Sequence, residues 1–178
     1  PGRALGLGFD AVIVGEAELP LIRLAEEGVL GSTDPLEALE DLAEQGRRVP
    51  GVAFRSARGV VYWGRAPFTP RELLNRYRPE PRFVEAYPWF WGSRVYVEVV
   101  RGCSNFYRPT IPLPDGRRCV LCNLCREGLL ENRLWCPLGI PPGCGYCSVP
   151  AFHGWARSVD RSRIVDEVRG LVGLGVTR

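Results

Sequence analysis

Seven cysteines are the residues of this 178-residue sequence whose type and spacing could do chemistry. Cys144 and Cys147 flank Tyr146 in the stretch PPGCGYCSVP, and Cys103 ends the tripeptide RGC. An odd number of thiols cannot pair fully as disulfides, and soft thiolates select zinc or iron–sulfur clusters. We therefore interpret the cysteines as metal ligands.

Four of the cysteines form a C-x2-C-x2-C-x10-C run, made of Cys119, Cys122, Cys125 and Cys136. This spacing, with Pro137 directly after the last cysteine, is similar to the bacterial ferredoxin pattern, although there the final gap is three residues. Four thiolates in one loop could equally close a tetrahedral zinc site. The sequence leaves open whether the run holds zinc or a 4Fe–4S cluster. Such a cluster would be the second in the protein, beside the one that the remaining cysteines suggest.

The other three cysteines are Cys103, Cys144 and Cys147. The RGC at 101–103 and the later CGYCSVP resemble the motif of the radical S-adenosylmethionine (radical SAM) superfamily, in which C-x-aromatic-C follows RGC after three residues. Here forty residues separate Cys103 from Cys144, and Ile140 stands where a contiguous motif has its first cysteine. We expect residues 104–143 to be an insertion within a cluster loop spanning 103–147.

The resemblance implies a 4Fe–4S cluster bound by Cys103, Cys144 and Cys147, with S-adenosylmethionine on the fourth iron. It places Tyr146 beside the adenine of that cofactor. Reductive cleavage then releases a 5′-deoxyadenosyl radical that abstracts hydrogen from an unknown substrate. An electron donor such as ferredoxin or flavodoxin is expected as a partner.

The elements around these cysteines are predicted to be a strand at 95–100, which leads into RGC, and a helix beginning at Asp160. The helix has apolar residues at helical spacing: Ile164, Val165, Val168, Leu171 and Val172. Together with the resemblance, this order predicts that residues 95–178 are the start of a parallel β/α partial TIM barrel.

The first part of the sequence predicts an α/β fold. The predicted elements are a strand at 9–15, a helix from Pro20 to Gly28, a helix capped by Asp34, a hairpin of 52–55 with 60–63, and a capping box at 69–72. The stretch 10–18 resembles the end of the cobalamin-binding-like domain of archaeal radical SAM proteins. We expect residues 1–77 to be the C-terminal part of such a Rossmann-like domain and 78–94 to be a linker. Whether cobalamin binds is left open.

A second reading of the cysteines is a zinc-stabilised binding module. The Cys119/Cys122 and Cys144/Cys147 pairs could form a zinc ribbon. Residues 51–110 hold ten arginines against four acidic residues, a basic block that could attract nucleic acid.

The sequence contains no long apolar run and no export signal, so we expect a cytoplasmic protein without a membrane partner. It also contains no methionine, which suggests an internal piece of a longer protein.

Overall fold

The structure is a computed structural model that describes residues 1–105, 107–130 and 132–177. The chain divides into two compact units, Pro1–Thr69 and Pro70–Arg178.

The first unit contains a three-stranded antiparallel sheet in the order β1 (Ala11–Ile13), β2 (Val52–Ser56) and β3 (Gly59–Tyr62). Its helices are α1 (Gly2–Gly6), α2 (Glu18–Glu26) and α3 (Pro35–Glu44), with a short 3-10 turn at Val29–Gly31. The predicted hairpin and both predicted helices are confirmed.

The core of this unit forms where α2, α3 and β2 bring apolar side chains together. Its buried members are Leu24, Val29, Leu39, Leu42, Val49, Val52 and Phe54. Leu39 and Leu42 are three positions apart and therefore lie on one face of α3. Each such buried side chain contributes roughly 1.5–3 kcal/mol relative to exposure to water.

Helix capping agrees with the sequence at Asp34 and differs from it at Thr69, the last residue of this unit. The Asp34 carboxylate accepts hydrogen bonds from the amides of Leu36 and Glu37, as the sequence predicts. The predicted capping box at 69–72 is wrong, since the Thr69 hydroxyl donates to Glu18 and no side chain caps the following helix. Thr69 is fully buried, and its amide and hydroxyl donate to the neighbouring carboxylates of Glu16 and Glu18 instead.

The second unit has little regular structure. It comprises α4 (Arg71–Arg76), β4 (Val100–Arg101), α5 (Val149–His153), β5 (Arg157–Ser158) and α6 (Arg161–Gly173). Three 3-10 turns lie at Pro81–Ala86, Phe90–Gly92 and Asn132–Leu134. The predicted helix after Asp160 is confirmed as α6.

The strand predicted at 95–100 is much shorter in the structure. Only Val100 of that stretch belongs to β4, which pairs antiparallel with β5. High β-propensity produces a strand only where a partner lies alongside, and the β5 partner has only two residues.

The fold class is therefore α/β, as predicted, but both sheets are antiparallel over the described residues. Within those residues, parallel pairing is limited to an isolated bridge between Cys103 and Trp155. Neither unit displays the parallel sheet expected of a Rossmann-like domain or a barrel in the part of the chain that the structure describes.

The predicted linker, residues 78–94, lies within the second unit. Pro81 is close to α6, where a Cβ built on Gly170 would lie 3.4 Å from the Pro81 Cγ. The predicted domain limits at 77 and 95 remain predictions. The second unit already begins at Pro70, and Arg71 and Asn75 of α4 form hydrogen bonds with Ser158 and Asp160 within it. No helix in the described residues is long and apolar enough to cross a bilayer.

Candidate metal-binding site

Cys103 is fixed through its backbone to the segment that follows α5. Its amide donates to the Gly154 carbonyl at 3.1 Å, and its carbonyl accepts from the Ala156 amide at 3.1 Å. Gly102, just before it, has a φ of +90°, and a Cβ there would lie 2.1 Å from the Trp155 carbonyl oxygen. The RGC glycine is therefore required by a close backbone approach as well as by its conformation.

A second link joins the two ends of the predicted insertion. The Gly143 amide donates to the Tyr107 carbonyl at 2.8 Å. Next to this link, a Cβ built on Gly145 would lie 3.7 Å from the Pro109 Cβ. The chain therefore leaves the RGC region at Tyr107 and returns to it directly before Cys144.

These two links hold the segment that carries Cys144, Tyr146 and Cys147 at both of its flanks. Gly143 bonds to Tyr107, four residues after RGC, and Gly154 bonds to Cys103, the last residue of RGC. The structure thus brings together the backbone segments of the three predicted cluster ligands, although they are far apart in sequence.

The side chains of this trio are accessible to different degrees. Cys103 is half-buried, and Cys144 and Cys147 are exposed. Tyr146 is 93% exposed. Among residues 1–105, 107–130 and 132–177, no three His, Cys, Asp or Glu side chains are gathered closely enough to hold a metal ion. The ligand roles of all seven cysteines remain predictions.

The remaining four cysteines line one concavity. Cys119, Cys122, Cys125 and Cys136 share it with Tyr107, Arg108, Leu121, Asn123, Leu124, Arg126, Trp135 and Pro137. It holds about 400 Å³ of empty space, including the part open to solvent. The fourth cysteine of the run, which ten residues separate from the third, therefore lines the same concavity as the first three.

The backbone around these cysteines is unusual. Leu121 and Asn123, on either side of Cys122, have φ values of +55° and +61°. Within the described residues they are the non-glycine positions with positive φ. Left-handed backbone at a leucine costs energy and tends to occur where a loop is shaped for a function.

Amide groups point at two of the thiol sulfurs. The Asn105 amide lies 3.3 Å from Cys103 Sγ, and the Leu121 amide lies 3.4 Å from Cys119 Sγ. Both bonds run from the second residue after the cysteine. Hydrogen bonds of this kind stabilise the negative charge of a thiolate and tune the potential of a cluster bound to it.

Arg108 links the beginning of the insertion to its second half. The sequence contains no signal that predicts this role. Its guanidinium is buried and donates to the carbonyls of Arg133, Leu134 and Ile140. A lone arginine in a basic stretch cannot be recognised as structural, since the carbonyls it binds lie 25 to 32 residues further on.

Arg117 makes a comparable link at the surface. It donates to the carbonyls of Leu138 and Gly139, and its guanidinium pairs with Asp115 at 2.5 Å. Hydrogen bonds from Arg117 hold the pKa of the Asp115 carboxyl below its ordinary value. The Asp115 carboxylate in turn raises the pKa of Arg117, with a smaller contribution from Cys136.

Residues near the RGC tripeptide form local contacts. Glu98 receives two hydrogen bonds from Arg101, at 2.8 and 2.7 Å. Arg157 is buried, donates to the His153 carbonyl at 2.6 Å and lies over the Trp155 ring at 5.8 Å. Both arginines therefore stabilise the backbone that holds Cys103.

Comparison with known proteins identifies two relatives. The chain is 44% identical over 179 aligned residues to an uncharacterized protein of Methanopyrus kandleri, an alignment that covers all of this chain and 30% of the relative. It is 48% identical over 95 residues to an uncharacterized protein of Methanocaldococcus jannaschii, covering 53% of this chain and 17% of the relative.

The chain thus spans less than a third of the length of the curated relatives it matches. Their names state no activity. No protein-family model matches the chain, and no solved structure matches it.

Proposed function

We propose that this chain carries the cluster-binding segment of a radical SAM enzyme, with a 4Fe–4S cluster on Cys103, Cys144 and Cys147. The observation that supports this most strongly is the pair of backbone links at Tyr107–Gly143 and Cys103–Gly154. They enclose the Cys144–Cys147 stretch and return it to the RGC tripeptide, as a motif interrupted by an insertion requires.

The donor set suits such a cluster. Thiolates are the ligands that iron–sulfur clusters use, and three of them leave one iron without a protein ligand. The exposed side chains of Cys144 and Cys147 can exchange between staggered rotamers at little cost, which allows their sulfurs to adjust to a bound cluster. Tyr146, also exposed, has an aromatic face available for the adenine.

When bound, the cluster would supply the single electron that splits the sulfonium C–S bond into methionine and a 5′-deoxyadenosyl radical. The chain's own residues would bind the cluster and orient it. The amide of Asn105 donates to Cys103 Sγ, and the Cys103 backbone bonds fix that residue relative to the Cys144–Cys147 stretch.

The proposal has consequences for the rest of the protein. Residues 95–178 would begin a parallel β/α barrel, and residues 1–77 would end a cobalamin-binding-like Rossmann domain, with cobalamin itself an open question. The partners would be an unknown substrate and a low-potential donor such as ferredoxin or flavodoxin. A cytoplasmic location fits the free cysteines, because thiols stay reduced there.

The alternative is a zinc-stabilised module that combines Cys119 and Cys122 with Cys144 and Cys147, with nucleic acid as a partner of the basic block. In the structure, Cys119 and Cys122 share their concavity with Cys125 and Cys136 instead. This grouping favours the cluster proposal over a ribbon.

Reductive cleavage of S-adenosylmethionine tests the proposal directly. Anaerobically purified full-length protein, of which this chain is a part, is expected to release 5′-deoxyadenosine after reduction with dithionite, and its Cys103→Ala variant is expected to release none. Ser104→Ala is the matched control, since it changes the neighbouring residue and keeps every thiol. Equal release by Cys103→Ala and the unmodified protein would show that Cys103 is not the third ligand. A protein that contains zinc and no iron would support the binding module.

A further inference from the structure

We infer that the insertion holds a second 4Fe–4S cluster, ligated by all four of its cysteines: Cys119, Cys122, Cys125 and Cys136. This inference does not rest on the radical SAM proposal, because it uses a separate set of thiols. It makes the insertion a metal centre in its own right, with no iron left open for a substrate.

The shared concavity is the first observation. All four sulfur-bearing residues line it, including Cys136, which the chain reaches only after a ten-residue excursion. Free cysteines gain more by burial among apolar side chains, yet these four are half-buried or exposed and line the same concavity. Among the described residues no three of their sulfurs lie close enough together to hold a metal ion, so ligation requires these side chains to turn toward one another.

The backbone at Cys122 is the second observation. Leu121 and Asn123 both adopt the left-handed conformation, which turns the chain sharply on each side of that cysteine. The Leu121 amide is directed at Cys119 Sγ. The strain of a left-handed leucine costs of order 1–3 kcal/mol, and metal binding at the adjacent thiolates can offset it.

The charges around the concavity suit an anionic centre. A 4Fe–4S core with four thiolates carries a net negative charge. Arg108 and Arg126 line the same concavity, and the Arg126 guanidinium lies 4.8 Å from the centre of the Tyr107 ring. Both cations therefore have fixed partners that keep them beside the thiolates.

Spacing favours a cluster over zinc. Three cysteines separated by two residues each, with a Cys-Pro further on, resemble the ferredoxin run more than two zinc-binding pairs, although in ferredoxin the fourth cysteine follows after three residues and ligates another cluster.

The test removes Cys103, Cys144 and Cys147 and measures the iron that the four cysteines of the insertion still bind. In protein purified anaerobically, the Cys103→Ala/Cys144→Ala/Cys147→Ala variant is expected to retain about four iron atoms and about four sulfides per chain. After dithionite reduction it should give the electron paramagnetic resonance signal of a reduced cluster. Zinc in place of iron, or loss of all iron from a folded variant, would overturn the inference.

A complementary variant covers the case in which that triple substitution unfolds the chain. Cys122→Ser/Cys125→Ser is expected to lower the iron content by about four atoms in the otherwise intact protein. Leu129→Ser is the matched control, because it changes an exposed residue of the same insertion and keeps all seven thiols. Unchanged iron in the double variant would also overturn the inference. These readouts do not depend on S-adenosylmethionine, so the radical SAM proposal can fail while this one stands.

Discussion

Gly143 donates a 2.8 Å hydrogen bond from its amide to the carbonyl of Tyr107, and this bond closes the insertion at its base. Because the ends of the loop meet, its length adds only a logarithmic entropy cost. Arg108, the residue after Tyr107, strengthens the closure. Its guanidinium donates to three carbonyls in the second half of the loop.

Gly102→Ala should disrupt the bridge between Cys103 and Trp155. The new Cβ would lie 2.1 Å from a backbone oxygen, and its φ of +90° is unfavourable for alanine. We expect the free energy of unfolding to fall by about 3 kcal/mol or more, measured by chemical denaturation. Gly116→Ala is the matched control, since its φ of +83° is similar and nothing lies within 4 Å of its Cβ. Equal stability of the two variants would contradict the close approach.

Arg108→Met should loosen the insertion. Methionine preserves much of the apolar stem but leaves the part-buried carbonyl of Leu134 and the carbonyl of the buried Ile140 without their donor. The expected loss is about 2–4 kcal/mol of unfolding free energy, with faster amide exchange in the insertion by hydrogen–deuterium exchange. Arg118→Met, at an exposed position of the same loop, should change stability by less than about 0.5 kcal/mol. Normal protection in the Arg108 variant would argue against its structural role.

Glu167→Ala should destabilise α6 strongly. Glu167 and Arg163 are both buried and lie 3.7 Å apart, so removing the carboxylate leaves a buried cation without its partner on the helix. We expect a cost of about 3–5 kcal/mol by thermal or chemical unfolding. Asp166→Ala removes the exposed neighbouring pair with Arg169 and should cost about 0–1 kcal/mol. A small effect at both positions would show that the buried pair contributes little.

The Asp115 carboxyl should titrate at an unusually low pH. Hydrogen bonds from Arg117 lower its pKa, so the interaction favours the folded protein above the unfolded value of about 3.9 and is lost as pH falls through the lower folded value. The carboxyl carbon chemical shift, followed by NMR, measures this directly. In the Arg117→Gln variant the titration midpoint of the Asp115 carboxyl should rise toward its ordinary value. An unchanged midpoint would show that Arg117 does not cause the low pKa of Asp115.

Local signals were sufficient for much of the first unit. The Asp34 cap, the spacing of Leu39 and Leu42, and the turn between β2 and β3 all act within a few residues, so the sequence predicts them correctly. The capping box at Thr69 failed because a partner 51 residues earlier in the chain, Glu18, takes its hydroxyl.

The sequence by itself determined where the seven cysteines lie, and their spacing together with the resemblance predicts a set of three ligands and a set of four. Only the tertiary structure decided how the chain joins them: the Tyr107–Gly143 closure, the Cys103–Gly154 bond and the antiparallel pairing of β4 with β5. These contacts are formed by backbone groups, which every residue carries, and the paired residues lie 36 to 58 positions apart. A local pattern of side chains therefore cannot predict them.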